Sequence, residues 1–427
     1  MNARPAFLTA YEHQTIAVRA DDPLALSPFE AQRLAVLGQQ RPGFCTLGHR
    51  SVRLAQYAGL VNLDGRILEI LPKVGDNDPA EACRGTFLRL LRRAMDLPLS
   101  VQGAVGQDLR RQSLLDVFIA AYLQELFALV RHGLLRRYRT DEEDLGVIRG
   151  RLMISRQASV HAMRIDRLAC RFDDLTIDNP WNQVLNAALH LVRPWIRGVD
   201  TGRRWLELAA AFDDVTRRRD AVELLSGLPS DRQVHHYNPA LLWAGWILKL
   251  LSPNLRAGSN KAPELLFDMN RLFESAIASV LREHASAGNM RVTTQEADHH
   301  LAELDQPIGA PAFRLRPDLI VRQKGAIVAV GDTKWTRVQA NSKGWLTPSE
   351  AHAYQMNAYS SVFPCSDFAL LYPWHEGLRH AASTAFRLPS RGDRLTTLHV
   401  VCIDVGSDLF PVRLGRTGSR FVDLLSS

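Results

Sequence analysis

The sequence predicts an α+β protein of several domains, and three observations carry that reading. At 427 residues the chain is two to three times an ordinary domain length. Hydrophobic residues make up 46% and charged residues 23%, a globular composition able to bury a real core. The hydrophobic pattern also changes twice. It reads as a small β-rich N-terminal domain over 1–105, a mainly helical middle region over 106–255, and an α/β domain of alternating helices and strands over 256–427.

In the first region, apolar and β-branched residues bracket the turn sequence Asn62-Leu63-Asp64-Gly65, and Ile67, Leu68, Ile70 and Leu71 run into Pro72. This predicts a hairpin. Phe87 to Met95 then has helical spacing with Arg89, Arg92 and Arg93 interleaved. In the middle region Leu114, Phe118, Tyr122, Leu126 and Val130 recur at steps of four, and Gly133 stops that helix. Asp178-Asn179-Pro180 places a capping side chain before a proline suited to the first helical turn. The helix it opens runs through Trp181, Leu185, Ala188 and Leu191. Another covers Trp205 to Phe212, and the following Arg217-Arg218-Arg219 reads as a solvated face. Trp243 and Trp246, three apart in an apolar helix, belong in a core. The polar stretch 256–264, with glycine and proline, is the expected linker. After it come one helix from Leu265 to His284, strands near 289–295, 313–322 and 325–336, a helix near 348–361 and a strand near 367–373.

Several function classes are disfavoured. The apolar helix from Leu114 to Val130 carries Asp116, Gln124 and Glu125, so no membrane span is expected. The first residues lack the basic and apolar regions of a secretory signal. Five widely spaced cysteines with no CxxC pair favour neither a disulfide framework nor a zinc site; they read as reduced thiols of a cytoplasmic protein. The net charge of +7 is compatible with a polyanionic partner such as nucleic acid. Only six of the 52 basic residues are lysine, so each lysine invites the question of what its chemistry supplies.

The informative segment runs from Arg314 to Trp335. It reads as two strands joined by a turn at Gln323-Lys324-Gly325, the second strand almost continuously apolar until it ends in Asp332-Thr333-Lys334. Side chains two apart on a strand share a face, so Asp332 and Lys334 project together, and Asp318 on the neighbouring strand can lie beside them. Two carboxylates at that separation are hard oxygen ligands suited to Mg²⁺. Lys334 adds a compact charge able to orient a water or stabilise a developing phosphorane. Of the six lysines only Lys334 has an acidic residue two positions earlier, and Pro317-Asp318 is the only Pro-Asp pair.

These residues resemble the signature of the PD-(D/E)xK nuclease superfamily. Glu274, within the segment from Phe267 to Glu274, matches the helix position where members often place a further acidic metal ligand. Gln355 and Tyr359 match a Gln-x-x-x-Tyr pattern that packs near the site and contacts DNA in RecB-like members. The finer resemblance is to the McrC family, the nuclease subunits of McrBC-type, modification-dependent restriction systems. It rests on Leu68 to Lys73, Gly133 to Tyr138, Arg149 to Leu152, Asp178 to Asn182, Phe267 to Glu274, Pro317-Asp318, Asp332 to Lys334 and Tyr354 to Met356. His352 departs from it, standing where an acidic residue is expected.

The resemblance implies a restriction-endonuclease-like C-terminal domain cutting DNA with Mg²⁺. It assigns catalysis to Asp318, Asp332 and Lys334, metal binding to Asp318, Asp332 and Glu274, and DNA contact to Gln355 and Tyr359. It also implies a McrB-like AAA+ GTPase ring as partner, on which the middle region docks and which recognises modified cytosine. The sequence contains no GxxxxGK[ST] phosphate loop, so GTP belongs to that partner. Arg136, Arg137, Arg149 and Arg151 flank the acidic run 141–144, which reads as a solvated loop, with a hairpin reaching into a ring as the alternative. Two other functions stay open: a binding and GTPase-activating subunit that does not cut, and a stand-alone RecB-like repair nuclease. One catalytic metal and two are equally open.

Overall fold

A computed structural model describes residues 7–75, 78–97, 112–164, 166–229, 232–252, 262–287, 289–306, 309–389 and 395–426. It divides into two compact units, one of Met1–Pro98 with Gly258–Ser427 and one of Leu99–Ala257. The first and last regions, expected as separate domains, therefore share one unit. Most of the stretch expected as a linker, 256–264, lies outside the described residues.

The N-terminal part of the first unit contains β1 (Phe7–Tyr11), β2 (Thr15–Ala17), α1 (Pro28–Gln40), β3 (Cys45–Leu47), β4 (Ser51–Leu54), β5 (Tyr57–Asn62), β6 (Ile67–Leu71) and α2 (Ala80–Met95). The hairpin read from the sequence is β5–β6. Its turn forms because the Asn62 side-chain oxygen accepts the Gly65 N–H at 3.0 Å, while Asp64 and Gly65 take positive φ of 57° and 92°. β1 lies parallel to β6 on the other side. α1 begins with a reciprocal cap, the Ser27 hydroxyl accepting the Glu30 N–H and the Glu30 carboxylate accepting the Ser27 N–H. Its buried face, Leu34 and Leu37, packs with Leu8, Val52, Leu68 and Ile70.

The second unit contains α3 (Leu114–His132), β7 (Arg137–Leu145), β8 (Arg151–Leu152), α4 (Ile154–Val160), β9 (Leu168–Thr176), α5 (Pro180–Val192), α6 (Val199–Ala211), α7 (Ala221–Ser226) and α8 (Asn238–Leu251). α3, α5 and α8 fall where the sequence placed helices, α6 starts six residues before the expected Trp205, and the short helices α4 and α7 had not been expected. Asn179 caps α5, its side chain accepting the Asn182 N–H. Trp243 is fully buried with its ring centroid 5.4 Å from that of Phe118. The three-stranded sheet β7-β9-β8 is the correction to a mainly helical reading. Its strand Arg-Tyr-Arg-Thr-Asp-Glu-Glu-Asp-Leu is polar on both faces, so apolar alternation could not reveal it. Cross-strand polar pairs accompany the pairing instead: Thr140 donates to Asp173 at 2.6 Å, and Arg149 and Arg171 pair with Asp174 and Glu142.

The first unit resumes with β10 (Glu264–Asp268), α9 (Met269–Ala287), β11 (Met290–Thr294), β12 (His299–Leu304), β13 (Ala310–Leu315), β14 (Leu319–Gln323), β15 (Ala326–Thr333), β16 (Gln339–Ala340), β17 (Leu346–Thr347), α10 (Glu350–Val362), β18 (Asp367–Pro373), β19 (Ala385–Leu388), β20 (Thr396–Ile403), β21 (Val412–Leu414) and α11 (Arg420–Leu425). The helix expected from Leu265 starts four residues later. Leu265 to Phe267 is a short apolar run that fits helix or strand equally, and pairing with β5 decides for strand. Asp268 then turns the chain, its carboxylate accepting the Asn270 N–H at 2.9 Å. The strand expected over 313–322 is also interrupted, because Pro317 has no N–H to donate and separates β13 from β14.

A seven-stranded sheet organises this part, in the order β11-β14-β15-β18-β20-β19 with β21 paired to β20. β14 and β15 form the expected hairpin, Lys324 and Gly325 both taking positive φ in its two-residue turn. α10 connects β15 to its parallel neighbour β18. Gly331 has no side chain because a Cβ there would lie 2.6 Å from the Phe421 ring of α11. Among the described residues no helix is long and apolar enough to cross a membrane.

Gly59 joins the two parts of this unit. A Cβ at that position would stand 2.1 Å from the Leu265 carbonyl oxygen across the β5–β10 pair, and its φ is +136°. Gly59→Ala is therefore expected to destabilise the chain by roughly 1–3 kcal/mol through overpacking and backbone strain. Denaturant unfolding would check this, and an unchanged midpoint would show that β10 does not need that close approach.

Candidate active site

The site forms where β15 leaves the sheet. Asp332 is 1% exposed, although it carries a charge. A carboxylate taken out of water needs partners, and three supply them. The Lys334 ammonium stands 2.5 Å from Oδ2. On Oδ1, the Gln355 side-chain amide donates at 3.1 Å and the Tyr359 hydroxyl at 3.4 Å. Gln355 also accepts from Lys334 Nζ at 2.9 Å and donates to the Tyr359 hydroxyl at 2.8 Å. Asp332 of β15, Lys334 just past its end and two residues of α10 thus form one closed network. Burial pushes the Asp332 carboxyl up to about 6, aided by the nearby Asp318 charge and opposed by Lys334.

Asp318 is held differently. Its Oδ2 accepts both the Thr333 backbone N–H at 2.8 Å and the Thr333 hydroxyl at 2.7 Å. Those bonds tie the start of β14 to the end of β15. The sequence expectation that Asp332 and Lys334 project together holds in the structure, and Asp318 is close enough for its charge to act on Asp332. Glu274 lies half-buried on α9, and burial, then the charges of Asp318 and Asp332, raise its carboxyl to about 7. Its Oε1 accepts from the Gln295 side chain at 2.6 Å.

Gln355 and Tyr359, singled out as DNA contacts, both direct polar atoms at Asp332 in this structure. Tyr359 is 3% exposed, and burial raises its phenol well above the ordinary value. His352 accompanies them, its Nδ1 2.8 Å from the Tyr372 hydroxyl. Burial and the Lys334 charge both depress its pKa, which favours a neutral imidazole where an acidic residue was expected.

Carboxylate oxygens beside one another are hard donors suited to Mg²⁺, and the raised pKa of Asp332 and of Glu274, from burial and then the Asp318 charge, includes a repulsion that a cation relieves. Among the described residues no three His, Cys, Asp or Glu side chains are already grouped to hold an ion. Asp318 and Asp332 fit as a pair whose other ligands would be water and phosphate. Glu274, held by Gln295, is near enough for the charges of Asp318 and Asp332 to act on it.

Two supporting residues had no signal in the sequence. Trp335, next after Lys334, donates its indole N–H to the Glu12 carboxylate at 2.9 and 3.1 Å, and its ring packs 5.5 Å from Phe273 on α9. Glu12 also accepts the Lys73 backbone N–H at 2.7 Å. The adjacency of Trp335 to Asp-Thr-Lys was the only available clue, and nothing in the sequence pointed to a glutamate 323 residues away.

Fold and site together define a mixed α/β protein with a carboxylate–lysine cluster at the end of a buried central strand. A family model described as McrBC 5-methylcytosine restriction system component matches residues 52–373. The chain belongs to that family, which agrees with the McrC resemblance drawn from the sequence. Two similar solved structures come from Thermococcus gammatolerans. A chain of the half-complex from the tetradecameric assembly of McrB AAA+ hexamers with bound McrC is 17% identical, with 98% of each chain covered and a TM-score of 0.72. A chain of the McrBC complex is 21% identical, covering 65% of this chain and 88% of that one, with a TM-score of 0.52. At those identities the likeness is one of fold. No curated protein matches the chain significantly.

The Glu12 clasp carries a pH signature. Burial raises its carboxyl to about 7 from an ordinary 4.5, against the bonds from Lys73 and Trp335. Between those values the folded chain keeps a proton that the unfolded chain releases, so stability falls as pH rises toward 7 and levels off above it. Glu12→Gln keeps an acceptor oxygen and removes the titration. Thermal melts from pH 5 to 8 should show a flatter profile, the gap above pH 7 approaching about 3 kcal/mol; parallel profiles for the two proteins would contradict this.

Proposed function

We propose that this chain is the DNA-cleaving subunit of a McrBC-type restriction system, an Mg²⁺-dependent endonuclease. In this reading it acts on methylcytosine-containing DNA with a McrB-like AAA+ GTPase whose hydrolysis it stimulates. The observation that supports it most is the closed network of Asp332, Lys334, Gln355 and Tyr359 beside Asp318. The order α9, β11, β14, β15, α10, β18 around that network supports a PD-(D/E)xK nuclease core. Family membership supports the restriction role, and the similar structures, from complexes containing McrB and McrC, support the choice of partner.

Asp318 and Asp332 would hold Mg²⁺, with Glu274 as the third candidate. Such an ion supplies neutralisation of the scissile phosphate and a lowered pKa for a bound water. The chain's own groups do the rest. Thr333 fixes Asp318 through two hydrogen bonds, so that carboxylate does not have to be ordered when substrate arrives. Lys334, aimed by the Gln355 carbonyl, places a positive charge where it orients an attacking water or steadies charge on the phosphate oxygens. Tyr359 is enclosed, so of the Gln-x-x-x-Tyr pair Gln355 is the one with surface left to meet DNA. Exposed Tyr138, Val147, Ile148 and Met163 in the unit Leu99–Ala257 suit docking on a partner.

Plasmid cleavage with methylated and unmethylated DNA, Mg²⁺, GTP and the AAA+ partner tests this. Asp318→Ala, Asp332→Asn and Lys334→Ala should each lower cutting of methylated DNA by on the order of 10²-fold or more, with GTPase stimulation retained. Chelation should abolish cutting and Mn²⁺ should restore it. Cutting near wild type in all three variants would overturn the nuclease assignment. Stimulated GTP hydrolysis with no cleavage under any metal would make the chain an activator, and cutting without partner or methylation would make it a stand-alone nuclease.

A further inference from the structure

Gln295 stands one residue past the end of β11, whose ladder with β14 closes at Thr294 opposite Leu319. Its backbone N–H extends that ladder by one bond, donating to the Asp318 carbonyl oxygen at 3.3 Å. Its φ is +52°, a left-handed conformation that a non-glycine residue seldom adopts. The residue is exposed, so no packing demand accounts for that backbone. Its side-chain amide lies between two charged groups: the NH₂ donates to Glu274 Oε1 at 2.6 Å, and the carbonyl oxygen accepts from the Arg316 guanidinium. Because guanidinium only donates, the amide has one orientation here, with its NH₂ toward the carboxylate.

One residue thus links the helix bearing Glu274, the strand start bearing Asp318, and Arg316 two positions before that aspartate. Glu296, next in sequence, anchors the turn through an ion pair of 2.6 Å with Arg322 of β14. Gln295 and Glu274 also line one cavity of about 560 Å³ with Arg282 and Thr294, so the clamp borders open space. A strained, exposed backbone at a side chain that ties two carboxylate-bearing elements together points to function before stability.

We infer that Gln295 is a positioning residue, which fixes the Glu274 carboxylate relative to Asp318 for the divalent cation of the proposed nuclease. The inference rests on that reading and deepens it. Groups that orient a metal ligand from behind typically cost about 10- to 100-fold in affinity when removed. Gln295→Gly is the informative variant, because glycine accepts the same φ and keeps the N–H to Asp318 while deleting the amide.

The test is calorimetric Mn²⁺ binding to the full chain without DNA, alongside thermal melts, for wild type, Gln295→Gly, Glu274→Ala and the double variant. The expected result is a melting point equal to or above wild type for Gln295→Gly and a metal dissociation constant raised about 10-fold or more. Adding Gln295→Gly to Glu274→Ala should bring no further loss, since the amide acts only through that carboxylate. Half-maximal cleavage should need correspondingly more Mg²⁺ in Gln295→Gly. Unchanged Mn²⁺ affinity, no Mn²⁺ binding by wild type, or losses that add in the double variant would each overturn the role of Gln295. Failure of the nuclease reading is separate, read from cutting by Asp332→Asn.

Discussion

The constraint on which the rest depends is a charge buried at the end of an apolar strand. β15 carries Asp332 into the sheet at 1% exposure, where an unpaired carboxylate would be strongly unfavourable. The structure meets this with Lys334 from the same strand face and with Gln355 and Tyr359 from α10. Such partners exist only if α10 crosses back over the sheet between the parallel strands β15 and β18. Topology and site electrostatics are thus one requirement.

That requirement reaches into the N-terminal sheet. β10 pairs with β5 at a spacing that only Gly59 permits, and α9 with Glu274 begins where β10 ends. Trp335 follows Lys334 and is held by Glu12, which is also tied to the backbone at Lys73. Residues from the start of the chain therefore fix the exit of β15 and the entry of α9. A C-terminal fragment would keep the motif and lose these supports.

Glu274 and Asp332 share a raised affinity for protons, caused first by burial and then by the Asp318 charge. Asp318 beside them is bonded twice by Thr333. An arrangement that keeps like charges adjacent, with one lysine on only one of them, leaves unbalanced negative potential at the sheet end. Such a potential attracts a cation.

The sequence by itself determined the local features. The turn at Lys324-Gly325, the cap at Asn179, the period of α3 and the two-apart geometry of Asp332 and Lys334 follow from neighbours in the chain, and all were legible. Family membership was legible too, from short motifs in order. Polar strands such as β7 were not, because apolar alternation is the signal and they have none. Nor was β10, whose three apolar residues suit either structure until β5 is there to pair with. Only the tertiary structure brought Glu12 to Trp335 and Gln295 to Glu274 and Arg316. Those contacts join residues far apart in the chain, and their energy comes from burial and hydrogen bonds that exist only after the sheets assemble.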